Sequence, residues 1–248
     1  MDRRNSRRVP APATAPAPPT NQRLKFWLII GVVALLAFNL GLGVVFILSN
    51  RAAMPPSGSA AGPDGFAFID LAAHYDLQAD EPSQFGAWEV VPKGEQTFEG
   101  TPFKANGMIR LLGSKPPPQG TVYRERIEGI QVGQAFAKLH LLHGTGWTGT
   151  NDMPVARMVW HYADGTRREF PIIYGRHVRD WWRRTETDLV SDTNSMVVWD
   201  GQAPRTSVRL YRSTFVNPEP GKQVKALDLI SAKSVATPAI VAISVEGR

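Results

Sequence analysis

The chain has 248 residues, with 28 Lys/Arg against 22 Asp/Glu, a net charge of +6 and no cysteine. The missing cysteines exclude disulfides and a lipid-modified cysteine anchor, so a domain outside the cytoplasm must hold together by its core alone. Six of the basic residues and one acid fall within residues 1–25, which leaves 22 bases against 21 acids from residue 51 onward. That near-neutral body argues against a nucleic-acid surface.

Residues 1–25 carry Arg3, Arg4, Arg7, Arg8, Arg23 and Lys25 around a Pro/Ala-rich stretch. Such a leader is predicted to lie disordered against anionic headgroups. Residues 26–50, FWLIIGVVALLAFNLGLGVVFILSN, hold no charge. As a helix this run would reach about 37 Å, enough to cross a hydrocarbon core about 30 Å thick. Basic residues stay on the cytoplasmic side, so the predicted topology is a single pass with the N-terminus inside and the remainder outside. A cleaved secretory signal is the rival reading, but its apolar core would be shorter. Residues 51–65 read as a Pro/Gly/Ser linker. Residues 66–248 form one predicted domain, long enough for a sizeable core.

That domain reads as strands. Runs rich in Val, Ile, Phe, Tyr and Trp, punctuated by Gly, Pro, Asn and Asp, predict strands over 66–71, 95–98, 103–112, 122–130, 135–143, 155–162, 167–174, 195–199, 207–215, 223–231 and 239–246. In 155–162, Ala156, Met158, Trp160 and Tyr162 alternate with Val155, Arg157, Val159 and His161. The runs 155–162 and 167–174 predict a hairpin with a type I′ turn at Asp164-Gly165. Pro171 marks the second strand as an edge or a bulge. After residue 50 no long apolar stripe of helical period appears. The expected fold is all-β: an antiparallel two-sheet sandwich of jelly-roll type, behind one N-terminal transmembrane helix.

Several segments carry a family likeness. QTFEGTPFKANGMIRLLG (96–113), RIEGIQVGQAFAKLHLLHGTGW (126–147) and VWHYADGTRREFPIIYGRHVRDWW (159–182) resemble a galactose-binding-like module of Planctomycetes and Verrucomicrobia. That module is akin to the carbohydrate-binding NPCBM domains appended to glycosidases. The resemblance spans nearly all of 66–246. It implies a jelly roll that binds sugar through loops at one end and carries no catalytic residues. It also implies that a structural calcium ion can be present. Asp70, Asp76, Asp80 and Glu246 offer oxygen for such an ion, with Asp70 and Glu246 on the terminal strands; no other cofactor is expected.

Two loops hold the residues best suited to a sugar. Trp147 sits in GTGWTGTND (144–152), and Trp181 and Trp182 sit in RHVRDWWRR (176–184). The predicted hairpin brings both loops to one edge. A pyranose offers C–H faces to aromatic rings and hydroxyls to charged pairs. Trp147, Asp152, Arg179, Asp180, Trp181 and Trp182 are therefore the candidate ligand contacts. Core packing is the competing role for each tryptophan, and Arg179 and Asp180 are alternatively a loop pin. His140 and His143 lie three apart on a strand, hence on opposite faces, which argues against a shared metal. Glu125, Glu128, Asp164, Asp180 and Asp200 form no evident acid–base pair. Nucleophile elbows and phosphate loops are also missing from the sequence.

The expected function is a non-enzymatic, membrane-tethered module outside the cytoplasm that binds carbohydrate or envelope glycan. The alternatives are a structural, protein-interaction or signalling-accessory domain that engages another membrane protein, and, third, a glycoside-processing enzyme.

Overall fold

The computed structural model describes residues 60–83, 87–183, 189–204 and 206–248. The proposed span at 26–50 lies outside them. Among the described residues no helix is long and apolar enough to cross a membrane.

The described chain is all-β apart from a 3-10 turn at Ala72–His74. In order, the strands are β1 (Ala60–Ala61), β2 (Phe66–Phe68), β3 (Leu77–Gln78), β4 (Gly94–Phe98), β5 (Thr101–Ala105), β6 (Gly107–Arg110), β7 (Arg126–Gln134) and β8 (Lys138–Gly146). There follow β9 (Pro154–Tyr162), β10 (Arg167–Ile173), β11 (Trp182–Arg183), β12 (Ser195–Gln202), β13 (Ser207–Val216), β14 (Val224–Ser231) and β15 (Thr237–Glu246). One sheet has nine strands. Its spine runs β1-β2-β15-β8-β13-β11, with β12 beside β13 and β6 joining β15 to β3. A second sheet orders β10-β9-β14-β7. Strand pairing is antiparallel throughout both.

Alternation decides which faces meet. Ala156, Met158, Trp160 and Tyr162 of β9 point into the main core, against Leu139 and Leu141 of β8, Tyr211 and Phe215 of β13, and Ile243 and Val245 of β15. On the far side of β9, Arg157 pairs with Glu169 at 3.4 Å and His161 with Asp228 at 2.7 Å. Trp160 is fully buried between Phe170, 4.0 Å from its ring, and the edge of Phe136, 5.0 Å away. The β15 sequence AIVAIS does not alternate cleanly, and a bulge between Ile240 and Ala242 accounts for it. Ile240 and Ile243 both face the main core, while Val241 and Ala242 both face the other way.

The nine-stranded sheet is thus apolar on both faces, and the outer one needs a cover. The β4–β5 ladder, a separate two-stranded sheet, supplies it. Phe98, Phe103 and Ala105 pack with Trp88 onto Leu142, Leu210, Val241 and Ala242. Two sheets were expected; this third layer is a correction. The expected strand over 103–112 is broken at Asn106, where the chain leaves the cover for the larger sheet.

The expected hairpin forms in register, Arg167 opposite His161, with Pro171 on an edge strand. Its turn differs from type I′. Gly165 N donates to the Tyr162 carbonyl at 3.0 Å, and within the turn only Gly165 is left-handed, at φ 86°. This is a type I turn closed by a glycine bulge. Asp164 stabilises it by accepting from Thr166 N at 2.9 Å.

Candidate functional site

The loops that follow β8 and β10 meet, as their strand order demanded. Thr145 N donates to the Arg179 carbonyl at 3.1 Å, and Trp181 N donates back to the Thr145 carbonyl at 2.9 Å. Asp152 N donates to the Tyr174 carbonyl at 3.0 Å, and Tyr174 N to the Met153 carbonyl at 2.9 Å. Gly144 permits this approach: a Cβ there would stand 2.9 Å from the Trp181 Cβ. Segments 144–153 and 174–182 therefore form one hydrogen-bonded edge.

Asp180 is the pin of that edge. It is 5% exposed; its carboxylate accepts from Thr148 Oγ1 at 3.1 Å and from Trp182 N at 3.2 Å. Arg179 is likewise committed: its Nε donates to the Leu189 carbonyl at 2.7 Å and its guanidinium lies 5.7 Å from the Tyr174 ring. Trp181 and Trp182 are half-buried, their rings 5.5 Å apart at 67°. Trp181 packs onto the cluster around Leu142 and Leu210, and both tryptophans join Trp199 over Ala87, Ala203 and Val208. Four of the six candidate contacts thus spend much of their surface on the fold.

Trp147 and Asp152 are different. Trp147 is 52% exposed and is the one exposed aromatic ring among the described residues. Its backbone is left-handed, at φ 70°, and so is that of Asp152, at φ 66°. Left-handed backbone costs a bulky residue on the order of 1–3 kcal/mol and is concentrated at functional sites. Asp152 accepts a 2.5 Å ion-paired hydrogen bond from Arg176 Nε, with both side chains open to solvent. Lys115 Nζ stands 5.4 Å from the centre of the Trp147 ring. It comes from the loop 113–120, tied down where Ser114 N donates to the Ser234 carbonyl at 2.8 Å.

The edge thus carries an open aromatic plane with an ammonium group near it and, on the same 144–153 segment as Trp147, an acid paired with a guanidinium. The plane can stack on an apolar sugar face, and the charged groups can donate to and accept from hydroxyls. Lys115, Thr148 and Arg176 are the members that sequence reasoning did not select. Arg176 lay in the quoted RHVRDWW segment and carried a signal; Lys115 lay in a Pro-rich loop and carried none.

Asp70 and Glu246 do not converge. Glu246 is in register with Phe66, whereas Ile69 N donates to the Ile243 carbonyl, so Asp70 lies about four residues, roughly 13 Å, further along. Asp70 instead accepts from Ala72 N at 2.9 Å, and Asp76 is paired with Arg110 at 2.7 Å. Among the described residues no group of three or more His, Asp or Glu is arranged to hold a metal.

His140 and His143 do face opposite ways. Ser213 Oγ donates to the His177 carbonyl at 2.8 Å, so it receives the His143 Nε2 proton at 2.8 Å. Burial, and then the neighbouring His177, push the His143 pKa down to about 3. His143 is therefore a neutral structural group. The remaining carboxylates have local partners: Glu125 with Lys233, Glu128 with Arg126, Asp200 with Arg209.

Set against known proteins, the chain matches no family model, no curated protein and no solved structure.

Proposed function

We propose that this protein is a membrane-tethered binding module whose β-domain lies outside the cytoplasm and holds a carbohydrate, such as an envelope glycan, without chemical turnover. The observation that carries the proposal is Trp147: an exposed ring in a strained backbone, with Lys115 near it and the Asp152–Arg176 pair on the same hydrogen-bonded edge. Exposed aromatic planes beside mixed donors and acceptors are what a pyranose requires. A jelly-roll topology of the galactose-binding-like kind belongs to the same proposal. Its support is two antiparallel sheets across one core, with β2 beside β15 and the segments 144–153 and 174–182 hydrogen-bonded together. Tethering rests on the uncharged run 26–50, and orientation on the six basic residues before it.

The test is a glycan array probed with the full chain in nanodiscs. A saturable signal that weakens in Trp147→Ala supports the proposal, and no signal from folded protein contradicts it. Orientation is tested separately by a C-terminal reporter active only outside the cytoplasm; activity at an N-terminal fusion instead would reverse the topology.

A further inference from the structure

We infer that the outer face of the nine-stranded sheet carries a second binding site, a cleft centred on Phe66, Lys138 and Glu246 that takes a neutral, hydroxyl-rich unit such as a pyranoside. This rests on the carbohydrate reading and extends it to a second place on the same domain.

The cleft is built by register. Phe66, Glu246, Lys138 and Val216 lie in one row across β2, β15, β8 and β13, and His140 and Thr214 lie in the next row. The β4–β5 cover stops short of these rows. Its turn forms a wall, because Arg212 Nη1 donates at 2.9 Å both to the Glu99 carbonyl and to Thr101 Oγ1. The resulting open cleft has a volume of about 410 Å³, within the size range of small-ligand sites.

Its chemistry selects the ligand. Lys138 Nζ donates to both Glu246 oxygens at 3.1 Å, and His140 Nε2 donates to Glu246 Oε2 at 3.2 Å. Thr214 Oγ1 donates to His140 Nδ1 at 2.9 Å, an arrangement that belongs to the neutral imidazole. Burial holds His140 below its ordinary pKa and so favours that form. An anionic ligand would meet Glu246, and a cationic one would have to displace Lys138. A hydroxyl pair can add to the existing network instead. The carboxylate and Thr214 accept, while Lys138 and the unused Thr101 hydroxyl proton donate. The half-buried Phe66 ring, 5.7 Å from the His140 ring, supplies an apolar face beside them.

The cleft is separate from the Trp147 rim. Lys138 and Gly146 are the two ends of β8, eight residues and about 26 Å apart.

The experiment is saturation-transfer NMR on the full chain in nanodiscs, with neutral cello-, manno-, galacto- and N-acetylchito-oligosaccharides, and oligogalacturonate as the charged comparison. In the Trp147→Ala background, transfer to a neutral oligosaccharide should persist. Adding Glu246→Gln, which retains an oxygen acceptor for His140, should weaken it about tenfold or more. Lys138→Met, at an exposed side chain, provides the same test should Glu246→Gln fail to fold. Transfer abolished by Trp147→Ala alone would overturn the second site and leave the rim standing. Persistence in both double variants would overturn the assignment to this cleft. Stronger transfer to galacturonate would overturn the neutral ligand class, and no transfer in wild type would remove both sites.

Discussion

Trp147 and Trp181 belong to two segments laced together by backbone hydrogen bonds, yet they meet opposite surroundings. Trp181 leans on Gly144 and on the cluster around Leu142 and Leu210, where its indole seals the outer face of the larger sheet. Trp147 is half open to solvent on a left-handed backbone, with the Lys115 ammonium 5.4 Å from its ring. One tryptophan lowers the free energy of the fold, whereas the other sits where folding gains little from it. The difference separates two roles that composition alone cannot: aromatic surface used for packing, and aromatic surface kept available.

The sharpest break of that comparison lies deeper still, at Trp160. Trp160→Ala should cost about 3–5 kcal/mol of stability in denaturant titrations, since it empties the space between Phe136 and Phe170. Acidification comes next. His143 stays neutral in the folded state to about 3, while the unfolded histidine gains its proton near 6.5. Its contribution is therefore complete above pH 6.5 and is lost as pH falls toward 3, at about 1 kcal/mol per pH unit. His140 and His177, also lowered by burial, act in the same direction. A pH series of melting temperatures should show the decline, and His143→Gln should flatten it.

Gly144→Ala should cost about 1–3 kcal/mol, because the new methyl meets the Trp181 Cβ at 2.9 Å. Trp181→Gly combined with it should cost less than the two separate effects together, since the Trp181 Cβ that meets the new methyl is then gone. The smallest effect is expected at the rim. Trp147→Gly should leave stability unchanged or raise it by about 1 kcal/mol, because glycine accepts φ 70° without strain. A large loss there would place Trp147 with the packing residues and dissolve the contrast.

How much of this was visible in the sequence depends on range. Local alternation separated Ala156, Met158, Trp160 and Tyr162 from Val155, Arg157, Val159 and His161, and it put His140 and His143 on opposite faces. The turn residues Asp164 and Gly165 marked the hairpin, although the exact turn type depended on which of them became left-handed. The convergence of 144–152 with 174–182 followed from hairpin order alone. What escaped detection was long-range. The β4–β5 cover exists because Leu142, Leu210 and Ala242 need shelter, a demand visible only once three distant strands share a face. The β15 bulge moves Val241 and Ala242 to one side and so defeats a simple period of two. Asp180 resembled a ligand contact beside Trp181, but its carboxylate is taken by Thr148 and the Trp182 amide. Lys115 reaches Trp147 from more than thirty residues away, with nothing in its own neighbourhood to announce it.

The most direct test of the central claim measures affinity and stability together for Trp147→Ala and Trp181→Ala. The full chain is titrated calorimetrically with a neutral oligosaccharide selected on the array, and each variant is also melted. The account predicts that Trp147→Ala lowers affinity at the rim about tenfold or more with an unchanged melting temperature, while Trp181→Ala lowers the melting temperature. Unchanged affinity in Trp147→Ala, or a melting loss equal to that of Trp181→Ala, would contradict it.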